Sequence, residues 1–191
     1  MTRPDPIQVR FAGAGGQGVI LAGVLLAEAG MHDGLHVVAT QSYGPEARLG
    51  AAKTEVVLSR QPIVFPEVRV PDLIVCLSED AYRSYSRPLA AGGVRLVEES
   101  VIASGSELEP GTVTAPLIAT ARGLGPNGAV AANVVALGAL VALSDVVTEA
   151  SLRRALRQRV KPALHELNER ALAAGLALIP RHDGCLVPGT S

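Results

Sequence analysis

Apolar and polar positions in the first third of the chain follow the spacing of strands and a buried helix. Ile7–Ala12 alternates and then meets a run of glycines, which predicts a first strand ending in a tight turn. Val19–Ala29 is apolar on nearly every side, which predicts a helix covered on both flanks. A glycine inside this helix, Gly23, lowers helix propensity and predicts close approach of another backbone. His36–Thr40 and Ala52–Ser59 are predicted strands, the latter because of its Val, Leu and Thr content.

Short apolar segments continue the pattern through the middle of the chain. Asp72–Leu77 is a continuous apolar run, typical of a strand buried on both faces. Glu79–Tyr85 is predicted to be helical, and Val94–Val97 and Gly111–Ala115 are predicted strands. This alternation predicts an α/β protein with a single open, mostly parallel, Rossmann-like sheet flanked by helices and followed by a C-terminal helical segment.

A long apolar segment opens the helical C-terminal part. Residues 127–143 read NGAVAANVVALGALVAL, close to the lower limit of a membrane span of about 20 residues. Asn127 and Asn133 interrupt the segment, and it lacks flanking aromatic residues, so we expect a buried core or interface helix. Asn133 must find hydrogen-bond partners there, and we favour a backbone group of the core over another subunit.

Capping and proline signals divide the remaining chain. Thr148 is predicted to cap the next helix, and Pro162 to separate two amphipathic helices. We expect one domain over residues 1–191, with a core over residues 7–178 and a loosely held tail at 181–191.

The composition favours a folded protein that hides apolar surface. Hydrophobic residues make up 48% of the 191 residues, charged residues 18% and aromatic residues 3%, with no Trp. Ala, Val, Leu and Ile must therefore fill the core, and a chain so poor in charge is expected to bury part of its surface against a partner. The net charge of −1 and the absence of a basic run argue against nucleic-acid binding.

The chain lacks the residue patterns that metal binding and hydrolysis require. Cys76 and Cys185 are too far apart for a CxxC motif, and no histidine lies near either in a metal-ligand spacing, so no metal site is expected. Cys76 sits in an apolar run and is predicted to be a small buried residue. The four histidines form no constellation for hydrolysis. Met1–Pro6 is polar and proline-rich, unlike a signal peptide, which favours a cytoplasmic location.

A glycine-rich loop is the main candidate for binding. Gly13, Gly15 and Gly18 fit the G-x-G-x-x-G spacing between a predicted strand and helix. Glycines permit positive φ angles and let a ligand approach the backbone, while the helix N-terminus favours an anion. The alternative is a tight turn that binds no ligand. No Gly-Lys-Ser/Thr follows, so the loop is not a Walker motif.

The dinucleotide form of this motif needs an acidic residue at the end of the second strand, where it binds ribose hydroxyls. That strand ends here in Thr40-Gln41, and Asp33 precedes it. An independent NAD(P) enzyme is therefore disfavoured.

Two loop motifs in tandem carry a family resemblance. GAGGQGV at Gly13–Val19 with Ala22-Gly23, followed by SYGPEAR at Ser42–Arg48, resembles the gamma subunit or gamma domain of 2-oxoacid:ferredoxin (acceptor) oxidoreductases of pyruvate, 2-oxoglutarate, 2-oxoisovalerate or indolepyruvate type. The similarity continues through Ala52–Ile63, Pro71-Asp72 and Asn133–Gly138 and spans roughly residues 7 to 178. The family usually has Arg-Gly-Gly where this chain has Arg48-Leu49-Gly50, and a leucine resists positive φ.

The resemblance implies a supporting subunit for oxidative decarboxylation of a 2-oxoacid to acyl-CoA, with electrons passing to ferredoxin. Thiamine diphosphate and Fe–S clusters are expected on alpha and beta partner subunits, with or without a delta subunit, and the isolated chain is expected to be inactive. The resemblance implies no catalytic residue in this chain. A coenzyme A contact is implied at the glycine loop, with the cofactor-binding residues Gly13, Gly15, Gly16, Gln17, Gly18, Tyr43 and Arg48.

Alternative roles remain open for single residues and for the chain. Arg48 suits a phosphate, a carboxylate or an ion pair with a partner, and Tyr43 suits a ligand or packing. Lys53, at a strand edge, is ambiguous. Partner chains are expected to bind the apolar helices and the Ser42–Gly50 loop. The main competing hypothesis is a stand-alone α/β module that binds a nucleotide or coenzyme A.

Overall fold

Strands and helices alternate through the first two thirds of the chain, and helices follow. The computed structural model describes residues 4–43, 51–103, 105 and 107–179. The strands are β1 (Ile7–Ala14), β2 (His36–Tyr43), β3 (Ala51–Ser59), β4 (Leu73–Cys76), β5 (Val94–Glu98) and β6 (Thr112–Ala115). The α-helices are α1 (Val19–His32), α2 (Glu79–Tyr85), α3 (Leu117–Arg122), α4 (Ala132–Ser144), α5 (Glu149–Arg159) and α6 (His165–Leu178). Short 3₁₀ turns cover Glu99–Val101, Gly128–Ala131 and Pro162–Leu164.

The six strands form one sheet in the order β2-β3-β1-β4-β5-β6. β1, β4, β5 and β6 pair in parallel, whereas β3 is antiparallel to both of its neighbours. Residues 44–50 between β2 and β3 are too few for the crossover that a parallel pair requires, so these strands pair as a hairpin. The predicted open, mostly parallel α/β sheet is confirmed, with β3 as its one reversed strand among the residues described.

The two faces of the sheet are covered unequally. One core cluster joins β1 and β4 to α1, α3, α4, α5 and α6, and a smaller cluster joins the opposite face to α2. α5 and α6 pack mainly on α1 and α4 and touch the sheet little, so the first face has two helical layers. The smaller cluster contains Cys76, fully buried as predicted. Burial raises the pKa of its thiol to about 12.

Helix α4 packs against α6, α3 and α1, and every residue of Ala132–Ser144 is buried. Of the predicted buried core or interface helix at residues 127–143, the part from Ala132 onward is confirmed as a core helix, whereas Asn127, Ala129 and Val130 are exposed. Helix α4 leaves no face for a partner subunit, which corrects that part of the docking expectation. In the part of the chain that the structure describes, no helix combines the length and the apolar character that crossing a membrane requires.

Two helix boundaries follow the predicted signals. Thr148 caps α5 by accepting a hydrogen bond from the Ser151 N–H at 3.2 Å. Pro162 begins the 3₁₀ turn that separates α5 from α6. Both predictions are confirmed, and both have local causes, because a hydroxyl replaces a missing helix bond and proline lacks an N–H.

The prediction for Gly23 was wrong in one respect. A Cβ atom at Gly23 would lie 2.3 Å from Cγ2 of Thr54, so the close neighbour is a side chain rather than a backbone. Thr54 is fully buried on β3 and donates its hydroxyl hydrogen bond to the Thr40 carbonyl at 3.1 Å. That bond fixes the threonine side chain beneath α1, and only glycine leaves room for it.

Candidate functional site

The glycine loop leaves β1 at Ala14 and enters α1 at Val19. Gly16 has a φ of 89° and Gly18 a φ of 71°, both in the left-handed region that glycine tolerates best. A Cβ atom added at Gly15 or Gly16 would meet nothing within 4 Å. The apex of the loop is therefore open, and the predicted glycines do come together around one turn.

The N-terminus of α1 faces this loop without a side-chain cap. Gly18 occupies the N-cap position, no side chain caps it, and the first turn contains no acidic residue. The 14-residue helix thus presents backbone N–H groups and the positive end of its dipole at the loop. An anionic group is the ligand chemistry that this end favours.

The Gln17 side chain stabilises the loop through two hydrogen bonds. Its side-chain oxygen accepts a hydrogen bond from the Ala14 N–H at 2.7 Å, and its side-chain NH₂ donates to the Leu77 carbonyl at 3.1 Å. Leu77 directly follows β4, so the side chain connects the carboxyl ends of β1 and β4. A Cβ atom at Gly13 would lie 2.7 Å from the Gln17 oxygen, which explains the glycine there.

Asn133 holds the other end of the loop. Its side-chain NH₂ donates to the Gly18 carbonyl at 3.1 Å, and the residue is 2% exposed. The expectation that Asn133 bonds a backbone group of the core is confirmed. A Cβ atom at Gly18 would lie 2.7 Å from this amide nitrogen, so the contact leaves no room for a side chain at Gly18.

The second predicted motif begins beside the first. Tyr43 pairs with Ala52, and Ala52 pairs with Gly13, so β2, β3 and β1 reach the glycine loop at one edge of the sheet. The Tyr43 side chain and residues 44–50, which include Arg48 and Leu49, lie outside the described residues. Binding by the seven predicted site residues stays a prediction.

A charged network lies on the sheet face that carries α2. Arg10 Nε is 2.7 Å from Glu55 Oε1, and Lys53 Nζ is 2.9 Å from Glu55 Oε2. Arg10 also donates to the carbonyls of Tyr85 and Arg87 at 3.3 and 3.4 Å. Arg10 and Glu55 are side-chain neighbours on paired strands, and the network ties β1 and β3 to the end of α2.

Sequence reasoning missed this network, although a signal was available. Arg10 and Glu55 occupy polar positions within the two predicted strands, and cross-strand pairing of opposite charges explains them. The carboxylate of Glu55 gives Lys53, which the sequence left ambiguous, a structural role.

No group of three or more His, Cys, Asp or Glu residues suited to a metal ion occurs within the described ranges. The glycine loop lies at the point where the strand order of the sheet reverses. From β1, helix α1 leads to β2 on one side of β1 in the sheet, whereas β4 lies on the opposite side of β1. Crevices at such switch points hold the ligands of open α/β sheets. Fold and loop together define an open α/β protein with a glycine turn and an uncapped helix N-terminus at this switch point.

The comparisons with known proteins identify the family. The family model for pyruvate ferredoxin/flavodoxin oxidoreductase matches residues 8–178. The 2-oxoglutarate synthase subunit KorC of Methanocaldococcus jannaschii is 42% identical over 173 residues, which cover 88% of this chain and 91% of that protein. This chain belongs to the pyruvate ferredoxin/flavodoxin oxidoreductase family, and its resemblance to gamma-type subunits is confirmed.

Two solved structures share the fold. The gamma subunit of a keto/oxoacid ferredoxin oxidoreductase from Geobacter sulfurreducens is 40% identical with a TM-score of 0.79, over 92% of this chain and 97% of that one. A 2-oxoglutarate:ferredoxin oxidoreductase from Magnetococcus marinus, with 2-oxoglutarate, coenzyme A and succinyl-CoA bound, has a TM-score of 0.79 at 23% identity. The structural match covers 99% of this chain and 34% of the Magnetococcus marinus chain. The shared fold is therefore one part of that longer polypeptide.

Proposed function

We propose that this chain, a gamma-type subunit of the 2-oxoacid:ferredoxin oxidoreductases, contributes an anion-binding turn for coenzyme A. The observation that carries the proposal is the glycine loop, open at Gly15 and Gly16 and placed at the N-terminus of α1. Coenzyme A is rich in phosphate, and backbone N–H groups at a helix N-terminus suit a phosphate. The Magnetococcus marinus enzyme, which contains this fold, was solved with coenzyme A bound.

The remaining cofactors belong, in this proposal, to alpha and beta partner subunits. The whole chain has two cysteines, whereas an Fe–S cluster is typically held by four. Thiamine diphosphate and the Fe–S clusters would then lie on the partners, and this chain would position and shield the reaction. Ferredoxin is the proposed electron acceptor of the complex, in the cytoplasm, and residues 7–178 form the single domain that joins it.

The first 2-oxoacid to assay is 2-oxoglutarate, because the KorC relative at 42% identity is named for it. The test co-expresses the chain with the neighbouring genes, purifies the complex and follows reduction of ferredoxin, or of a viologen dye, that depends on coenzyme A and a 2-oxoacid. Pyruvate and 3-methyl-2-oxobutanoate serve as competing substrates. A chain that purifies alone and binds coenzyme A tightly would favour the stand-alone binding module instead.

A pair of glycine variants tests the loop itself. Gly16→Val places a β-branched side chain at the open apex, and we expect the KM for coenzyme A to rise by about 10-fold or more with the complex intact. Gly34→Val is the matched control, because Gly34 also has a positive φ and open surroundings but follows α1, at the far end of that helix. Equal effects of the two variants on KM would contradict a coenzyme A contact at the loop.

A further inference from the structure

Asn133 is an unusual residue for its position. Every other residue of α4 up to Leu143 is apolar or glycine, and the whole helix is buried. The polar residue at the end of α4, Ser144, bonds the Leu140 carbonyl of its own helix at 2.7 Å. Asn133 instead sends its amide out of the helix to Gly18, 115 residues away in the chain. Burying an amide in an apolar helix is unfavourable unless it is bonded, so this bond is the reason the site tolerates one.

The bond acts on the peptide unit at which α1 begins. The Gly18 carbonyl accepts both the Asn133 amide, at 3.1 Å, and the Ala22 N–H, at 3.0 Å. A trans peptide unit is planar, and its C=O and N–H point in opposite directions. Holding the Gly18 carbonyl toward α4 and the helix therefore turns the Val19 N–H away from them, toward the loop.

The same contact restricts Gly18 itself. A Cβ atom there would lie 2.7 Å from the Asn133 amide nitrogen, and the residue already has a φ of 71°. Gln17 fixes the preceding half of the loop through Ala14 and Leu77. The loop is thus held from both sides by side chains of the chain itself.

We propose that Asn133 is a positioning residue for the anionic ligand, since its amide presets the Gly18–Val19 peptide so that the first N–H groups of α1 face the glycine loop. The inference rests on the proposed function of that loop and adds a residue outside both loop motifs. A preset loop loses less conformational freedom on binding, so its affinity depends on the residues that hold it.

The experiment uses the complete complex with Asn133→Leu, which retains the size of the side chain and removes the donor. Asn168→Leu is the matched control, because Asn168 is also buried and donates to a backbone carbonyl, that of Leu164, at 2.8 Å, with neither residue in the loop. Asn133→Ala serves as the second variant if the leucine prevents folding. Amide hydrogen exchange of residues 13–21 is measured without ligand, and the Kd of coenzyme A by calorimetry.

We expect Asn133→Leu to speed exchange in residues 13–21 and to raise the Kd of coenzyme A by about 10-fold, one factor of ten per 1.4 kcal/mol. The KM for coenzyme A should rise with little change in kcat. Asn168→Leu should change neither quantity. Equal exchange or equal Kd in the two variants would overturn the proposal.

The two variants together distinguish a failure of the proposed function from a failure of the role of Asn133. If the unsubstituted complex binds coenzyme A with a Kd that Gly16→Val leaves unchanged, the loop is not the ligand site, and the inference built on it is overturned too. If Gly16→Val weakens binding and Asn133→Leu behaves like Asn168→Leu, the loop site stands and only the role of Asn133 is wrong.

Discussion

Asp33 connects the end of α1 to the start of α5. One carboxylate oxygen accepts the Thr148 N–H at 2.6 Å, and the other accepts the hydroxyls of Thr148 and Ser151 at 2.7 and 2.5 Å. Desolvation raises the pKa of Asp33, but the hydrogen bonds from Ser151 and Thr148 outweigh it and lower the pKa below the ordinary value. The ionised carboxylate therefore stabilises the folded chain.

The pH dependence of this contribution follows from the direction of the shift. The stabilisation by Asp33 is fully present above its unfolded pKa of about 3.9 and is lost as pH falls through the lower folded value. We expect Asp33→Asn to reduce the free energy of unfolding by about 1 kcal/mol at pH 7, because Asp33 is only partly buried, and by less at pH 3. Urea unfolding at both pH values measures this, with the exposed Glu107→Gln as control. A difference that persists unchanged at pH 3 would contradict it.

Single side chains were predicted from the sequence less well than the loop that contains them. The spacing of Gly13, Gly15 and Gly18 predicted the turn, because the motif is local. Binding of a cofactor by Gln17 stays a prediction, but the spacing did not indicate that its side-chain amide bonds Ala14 and Leu77. Leu77 is 60 residues away, so no local pattern carried that contact.

At the scale of elements, the crossing of α4 and α6 depends on two glycines. A Cβ atom at Gly138 would lie 2.6 Å from the Leu172 carbonyl oxygen, and one at Gly175 would lie 2.1 Å from that of Val135. These neighbours are helix backbone, which a rotamer change cannot move. The two backbones approach closely there because neither glycine has a side chain.

Gly175→Ala reverses the usual effect of such a change. Replacing glycine by alanine in a helix normally stabilises by about 1 kcal/mol. We expect a loss of about 1–3 kcal/mol here, because the helices must separate. Gly123→Ala, where a Cβ atom would have ordinary contacts of 3.4 and 3.6 Å, is the control and should be neutral or stabilising. Denaturant unfolding of both variants compares them, and an unchanged midpoint for Gly175→Ala would refute the close crossing.

The order and type of elements were predictable because each depends on local spacing. Strand segments such as Asp72–Leu77 and the helix Glu79–Tyr85 were predicted to within one or two residues. The reversed direction of β3 was not predicted, since the alternation of strands and helices favours parallel pairing. The partner of Gly23 was also missed, because it depends on Thr54 from that same strand.

For the molecule as a whole, burial within the chain itself explains much of the apolar composition. The sequence suggested that so little charge means surface hidden against a partner. The buried α4 and the second layer of α5 and α6 take up much of that apolar content within the chain itself. Among the described residues, large exposed apolar side chains occur next to each other at Val64 and Phe65, which are 78% and 77% exposed.

We expect these two side chains to contact a partner subunit. Exposed adjacent apolar residues mark interaction sites more often than they stabilise a free chain. The double variant Val64→Ser/Phe65→Ser should leave the Tm of the isolated chain within about 2 °C and reduce the amount of partner subunit that copurifies. Val130→Ser, which also replaces an exposed valine, is the control. Unchanged copurification would show that Val64 and Phe65 do not contribute to the interface.

The reversed strand β3 also decides what kind of nucleotide the switch-point crevice can accept. In the dinucleotide-binding arrangement, the second strand lies directly beside the first, and its last residue reaches the ribose next to the bound pyrophosphate. Here β3 is inserted between β1 and β2, which moves the end of β2 to two strand spacings, about 9.6 Å, from β1. An acidic residue at the end of β2, which the structure extends to Tyr43 beyond the predicted end at Thr40-Gln41, would be too distant for that ribose. The missing acid and the inserted strand therefore both remove the ribose contact that a dinucleotide-binding fold makes at the end of its second strand.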